Sequence, residues 1–194
     1  MFISVTVFPG MPGFLTNSKD IPKWINKITL DSQGDFLLKK TYIYPKIIIM
    51  YETVQFIHSY WAYLVVLVLI TASVNAIAGF AGNKEYGAAN FRIALFTLIV
   101  SHIQLLIGLV LYFTTPYFRA FSEVGMGGVM KDPTLRLYNV EHPLVMIIAI
   151  VLITMGYSKH KKKLTSKPKF KILAIFYTIA LILVLSRIPW NMWF

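Results

Sequence analysis

Cysteine is absent from this chain of 194 residues, and acidic residues are few. Without cysteine there is no disulfide framework, no thiolate chemistry and no Cys-ligated metal. The eight Asp and Glu residues form no pair within an apolar run and no Glu-x-x-His sequence, which excludes a di-iron bundle. Acid–base or proton-relay chemistry has no candidates beyond four carboxylates expected at the surface, those of Glu52, Glu123, Asp132 and Glu141. No glycine-rich segment is followed by Lys-Ser or Lys-Thr, so a phosphate loop is excluded too. We therefore expect no catalytic side chains of these classes.

Apolar residues, by contrast, make up 57% of the sequence. They are concentrated in four runs, each long enough to cross a hydrocarbon core of ~30 Å as a helix that rises ~1.5 Å per residue. The sequence therefore predicts an all-α integral membrane protein, a four-helix bundle with spans at about residues 56–79, 93–113, 140–157 and 170–188. The longest loop is expected at residues 117–139.

Basic residues are distributed unevenly about these spans. Seven lysines lie in the single loop from Lys159 to Lys171, and Lys84 and Arg92 lie on the same side. The loop between the second and third spans carries only three basic residues, Arg119, Lys131 and Arg136. Since Lys and Arg collect on the cytoplasmic side, this predicts a bacterial inner-membrane protein with both termini outside. The net charge of +11 is then explained by lysines that orient the protein in the membrane and attract anionic lipid to some degree. We expect no nucleic-acid partner.

Residues 1–49 differ from the rest of the chain. They contain no apolar run of spanning length, and their scattered lysines oppose the predicted topology. One interpretation is an N-terminal extension that is not part of the physiological protein, with Met50 as an alternative start and the four-span domain at 50–194. The other is a short interfacial segment. The sequence leaves both open.

Two histidines are expected at the same depth in this bundle. His58 lies at the start of the first span and His142 at the start of the third, and both spans run from outside to inside. Two neutral imidazoles on different helices can ligate the two faces of a haem iron. The sequence therefore predicts a haem b bound by His58 and His142 near the outer face, with Arg187 pairing with its propionates. Intramembrane histidines are costly enough that a functional site is the default hypothesis.

The same polar residues also have interpretations without a cofactor. A single histidine near the end of a span is commonly an interfacial residue, and Glu141 can favour the N-terminus of the third helix and pair with Arg187. His102, on the second span, lies deeper. It is an alternative ligand, but an interhelical hydrogen bond explains it more readily. His160 lies among the lysines and is expected to be solvated.

A resemblance adds to this prediction. It is carried by three segments, His58-Ser-Tyr-Trp-Ala-Tyr63, Ser101-His-Ile-Gln-Leu-Leu-Ile-Gly108 and Val140-Glu-His-Pro143. Residues 50–194 resemble small four-span membrane proteins of Bacteroidota bacteria that are labelled cytochrome b. The three segments are more distantly similar to half of a haem A synthase.

This resemblance implies that His58 and His142 are the haem ligands and that Gln104 with Gly108 forms the motif between them. Ser59 stands where the synthase carries an arginine. The resemblance therefore implies a haem b redox role and not synthase activity.

Three functions follow as hypotheses. The first is a membrane-bound b-type haem protein that transfers electrons, as a carrier or subunit more than as a stand-alone enzyme. The second is a haem-free accessory or scaffold subunit of a larger inner-membrane complex, such as a respiratory one, held by faces of small residues. Such a face is predicted on the first span at Ala72, Ser73, Ala76 and Gly79. The third is a quinone site that uses His58, Trp61 and Arg187.

Overall fold

The structure, a computed structural model, describes the backbone of residues 35–190 and the side chains of residues 50–115 and 117–190. Within this part of the chain, Tyr51–Ile188 forms one compact unit. Most of the predicted extension at 1–49 lies outside the described residues, so the alternative start at Met50 stays a prediction. All the predicted site residues belong to the compact unit Tyr51–Ile188.

Four long helices dominate the described part of the chain. They are α1 (Asp35–Ala81), α2 (Ala88–Thr114), α6 (His142–Lys161) and α7 (Ser166–Ser186). Four segments are long and apolar enough to cross a membrane, and these are Met50–Ala81, Ala88–Thr114, Pro133–Lys161 and Ser166–Ser186. The predicted all-α, four-helix membrane bundle is thereby confirmed.

The connection between α2 and α6 is a chain of short helices rather than the predicted loop. It comprises a 3₁₀ helix (Pro116–Arg119), α3 (Ala120–Glu123), α4 (Gly125–Lys131), α5 (Pro133–Arg136) and a π-helix (Leu137–Glu141). Local capping explains part of this order, since the Asp132 carboxylate accepts from the backbone N–H groups of Thr134 and Leu135 at 2.8 and 2.9 Å. The π-helix leads directly into α6.

The predicted span limits are too short at several ends. The first candidate span begins at Met50 rather than at residue 56, and the second begins at Ala88 rather than at residue 93. An apolar run shows only the part of a helix that lies in hydrocarbon, whereas polar and aromatic residues extend the same helix through the interface. His58 consequently lies two turns inside its helical segment but still near the start of the apolar run.

Small residues allow the helices to approach closely. A Cβ atom added at Gly79 of α1 would collide with the buried Phe170 ring of α7, and one added at Gly156 of α6 would lie 2.7 Å from Cβ of Phe176. The Tyr177 hydroxyl of α7 donates to the Ala94 carbonyl of α2 at 3.0 Å. The predicted small-residue face of α1 is therefore buried inside its own bundle.

The bundle has two chemically different ends. The histidine end is defined here by His58, His142, Gln104, Glu141 and Arg187. The lysine end is defined by the end of α1, the Gly82–Gly87 connection and residues 159–171. From His58 to Phe80, α1 rises about 33 Å, so the two ends lie a bilayer core apart.

Candidate functional site

The two predicted haem ligands lie opposite each other at the histidine end. His58 is on α1 and His142 is the first residue of α6, and both are partly buried. Their ring centroids are 6.3 Å apart, with the ring planes inclined at 70°. Residues 84 positions apart in the chain thus face each other across the bundle.

Helix α2 closes one side of the His58 imidazole. The Gln104 side-chain nitrogen donates to the His58 carbonyl at 3.0 Å, and it lies 3.3 and 3.4 Å from the two ring nitrogens. A donor almost equally distant from both nitrogens is not directed along the lone pair of either one. One turn further, a Cβ added at Gly108 would lie 3.1 Å from Cε1 of His58. Gln104 and Gly108 therefore position this ring without occupying a particular nitrogen.

The His142 ring is oriented by α7. Its Nδ1 lies 2.8 Å from the backbone carbonyl oxygen of Arg187. A carbonyl oxygen only accepts, so Nδ1 carries the proton, and in the neutral imidazole Nε2 carries the lone pair. A hydrogen bond of this kind is the usual device by which a protein fixes the ligand nitrogen of a metal-binding histidine.

Two further features hold the helices in register near the site. The Trp61 indole, one turn along α1 from His58, donates to the Val100 carbonyl of α2 at 3.0 Å. The π-helix Leu137–Glu141 sets the rotation at which α6 begins, and π-helical turns occur frequently at functional sites. The hydrophobic periodicity of the sequence did not indicate the π-helix. A segment of five residues is too short for its longer turn to be told apart from the first turn of an α-helix.

A charged cluster lies beside His142. The Glu141 carboxylate is 2.8 Å from Nε of Arg136 and 3.4 Å from Nε of Arg187. The sequence-based alternative that Arg187 pairs with Glu141 is thus confirmed. Arg136 was missed as a member of this cluster, because residues five apart do not share a face of an α-helix and the π-helix between them was not predicted.

Both remaining histidines differ from expectation. The prediction of an interhelical hydrogen bond for His102 is wrong, because its Nδ1 donates to the Leu98 carbonyl of its own helix at 2.8 Å. The prediction that His160 is solvated is also wrong, since it is 1% exposed. Its ring packs among Tyr86, Phe91 and Tyr157, with centroids 5.6, 6.1 and 5.2 Å away. A helix end can place one residue of a lysine-rich segment against the core while its neighbours face solvent.

The number of available ligands limits the kind of metal centre. Within the described residues, no three His, Cys, Asp or Glu side chains converge on one point. Structural and catalytic zinc sites use three or four protein ligands, whereas a haem iron needs only its axial ones. Two opposed imidazoles therefore fit a haem better than a bare ion.

Comparison with protein-family models, with curated proteins and with solved structures gives no match.

Proposed function

We propose that this chain is a membrane-bound b-type haem protein that transfers electrons, in which His58 and His142 would hold the haem iron. The observation that carries the proposal is the separation of the two imidazole rings. A metal–imidazole bond of about 2 Å plus about 1.1 Å from nitrogen to ring centre puts two opposite ligands' centroids about 6 Å apart. The observed 6.3 Å agrees with this requirement.

The surroundings of the two rings support the same function. The carbonyl of Arg187 leaves Nε2 of His142 as the nitrogen with the lone pair. Gln104 and Gly108 lie against His58 at the positions that the haem A synthase resemblance implies. A haem bound here would supply reversible one-electron transfer, while the protein would fix its axial ligands and exclude water.

The arginines at this end suit the acidic edge of a haem. Arg136 and Arg187 share one carboxylate, that of Glu141, so the cluster keeps a net positive charge. Their side chains are 36% and 44% exposed, which leaves guanidinium N–H groups accessible. Guanidinium groups bind carboxylates with paired hydrogen bonds, so these two residues are the proposed partners of the propionates.

The scaffold hypothesis receives less support. It required small-residue faces that pack against a larger complex, but Ala72, Ser73 and Ala76 are 3%, 2% and 1% exposed within this chain alone. The inner-membrane location is likewise part of the proposal. It is supported by the nine basic residues on one side of the spans, which in a bacterial inner membrane mark the cytoplasmic face.

The proposal is tested by haem content. We expect the full chain, expressed with ample haem and purified in detergent, to bind about one haem per chain by pyridine haemochrome assay. His58→Ala and His142→Ala should each lower this content at least tenfold, because either change removes one axial bond.

The matched control is His102→Ala, which removes a histidine of the same bundle whose hydrogen bond stays within its own helix. It should retain the pigment. Colourless wild-type protein that is folded by circular dichroism would contradict the proposal. Loss of pigment from the His102 variant alone would also contradict the ligand assignment.

A further inference from the structure

An open groove of about 550 Å³ lies at the lysine end, far from the histidine pair. It is lined by Phe80, Lys163, Lys167, Pro168, Lys171 and Ile172. Lys163 precedes α7, while Lys167 and Lys171 are four residues apart and share one face of that helix. Three ammonium groups and three apolar side chains thus line a single depression.

The positive charge of the groove is not neutralised by nearby carboxylates. The ion pairs among the described residues are both made by Glu141, at the opposite end of the bundle. Glu85 is the only acidic residue in the two connections at the lysine end. Lys167 lies 5.7 Å over the Phe80 ring, a contact that orients its ammonium group without cancelling the charge. The groove therefore favours an anion.

The apolar residues that line the groove favour an anion that also carries an apolar chain. Phe80 lies at the inner end of the first candidate span, and Lys171 and Ile172 lie within the fourth. The groove consequently continues from the basic connection onto helix surface that faces hydrocarbon. Leu164, in the same connection, is 96% exposed, as expected for a side chain that dips into the interface.

We propose that this groove is a binding site for one anionic phospholipid, whose phosphate contacts Lys163, Lys167 and Lys171 and whose acyl chain lies along Phe80 and Ile172. Basic depressions between transmembrane helices at the cytoplasmic side are suited to such headgroups. A soluble phosphate offers the same charge to the lysines but makes no use of the apolar half. The lipid is therefore the proposed occupant.

The test is native mass spectrometry of the full chain in detergent, titrated with dioleoyl phosphatidylglycerol or dioleoyl phosphatidylcholine. We expect one phosphatidylglycerol to be retained at least tenfold more tightly than phosphatidylcholine. The triple variant Lys163→Gln/Lys167→Gln/Lys171→Gln should lose this preference.

The matched control carries the same loss of charge outside the groove, as Lys84→Gln/Lys161→Gln/Lys162→Gln. It should keep the preference within about twofold, since these lysines do not line the groove. Equal loss in both triple variants would overturn the proposal in favour of diffuse attraction by the loop. Displacement of the lipid by millimolar inorganic phosphate would overturn it in favour of a simple anion site. Equal retention of both lipids by the wild type would overturn it as well.

Discussion

The histidine end and the lysine end of this bundle satisfy their polar groups in opposite ways. At the histidine end, side chains from α1, α2 and α6 bond to backbone carbonyls and to one another, as Gln104 does to His58 and His142 does to Arg187. At the lysine end, cations lie over aromatic rings, and the buried His160 ring packs among aromatic rings. One directed hydrogen bond joins the two connections there, from the Tyr86 N–H to the Ser166 hydroxyl at 3.0 Å. Hydrogen bonds that orient a histidine from a neighbouring helix are found, among the described residues, at the first end.

This difference is the one expected between a ligand-binding site, at the histidine end, and a membrane interface, at the lysine end. Fixed hydrogen bonds between helices cost conformational freedom and are worth making where geometry matters, as for a metal ligand. Lysines at an interface need only keep their charged ends in water while their stems cover apolar rings. Tyr86 is an example, since Lys169 lies 5.3 Å over its ring and burial raises the pKa of its hydroxyl to about 12.

The largest expected effect on haem content comes from replacing one histidine at each end, His142 or His160, by leucine. His142→Leu should lower haem content at least tenfold, because it removes the nitrogen that the Arg187 carbonyl orients. His160→Leu should keep full haem content. Because it replaces an imidazole that is 1% exposed and packed among aromatic rings by an apolar side chain, it should leave stability unchanged or raise it by up to about 1 kcal/mol.

Haem content and thermal unfolding in detergent measure both effects. If His160→Leu removed the pigment while His142→Leu kept it, the roles assigned to the two ends would be reversed.

Gly79→Ala should give the next effect, and it acts on the fold rather than on the site. The added methyl would collide with Phe170, which is 1% exposed and has no room to move. Overpacking of this kind costs about 1–3 kcal/mol. Thermal unfolding should show this loss, whereas Gly127→Ala, with open space around the added methyl, should show none. Equal stability of the two variants would contradict the close packing of α1 on α7.

Gly108→Ala should act mainly on the histidine site, and more mildly. Its methyl would lie 3.1 Å from Cε1 of His58, so the ring must shift by a few tenths of an ångström. We expect haem affinity to fall several-fold, with a shifted absorption band and little change in unfolding temperature. Competition of the purified protein with a haem-binding apoprotein measures the affinity, and an unchanged affinity would mean that Gly108 does not control the ring.

Arg187→Ala should have the smallest effect. The contact to His142 comes from the backbone carbonyl of residue 187, which survives the substitution. The lost ion pair with Glu141 is exposed and worth about 0–1 kcal/mol. The proposed propionate contact of Arg187 is also exposed, and Arg136 remains beside it, so haem content should stay within about twofold of the wild type. A tenfold loss would show that the Arg187 guanidinium holds the haem as strongly as a histidine ligand does.

Sequence alone predicted the fold well because membrane spans depend on composition and length. Four apolar runs are enough to fix four helices, since a backbone in hydrocarbon has to satisfy its hydrogen bonds internally. The limits of the spans were less accurate because residues such as Tyr51 and Glu52 extend α1 beyond the apolar run.

The site could be predicted only as a set of residue types at similar depth. Whether His58 and His142 face each other depends on the rotation of each helix about its axis. Packing at Gly108, Trp61 and the π-helix determines that rotation, and a hydropathy pattern gives no information about it. The role of the Arg187 carbonyl was not accessible for a related reason. Every residue has a backbone carbonyl, so no sequence pattern marks the one that orients a ring.

The most direct test of the account is the low-temperature electron paramagnetic resonance spectrum of the purified, oxidised protein. If His58 and His142 both held the haem iron, two imidazole ligands would make the ferric haem low-spin. The account predicts one such low-spin species, at about one haem per chain. A high-spin signal in the wild type, or no haem signal from folded protein supplied with haem, would contradict the pairing of His58 with His142.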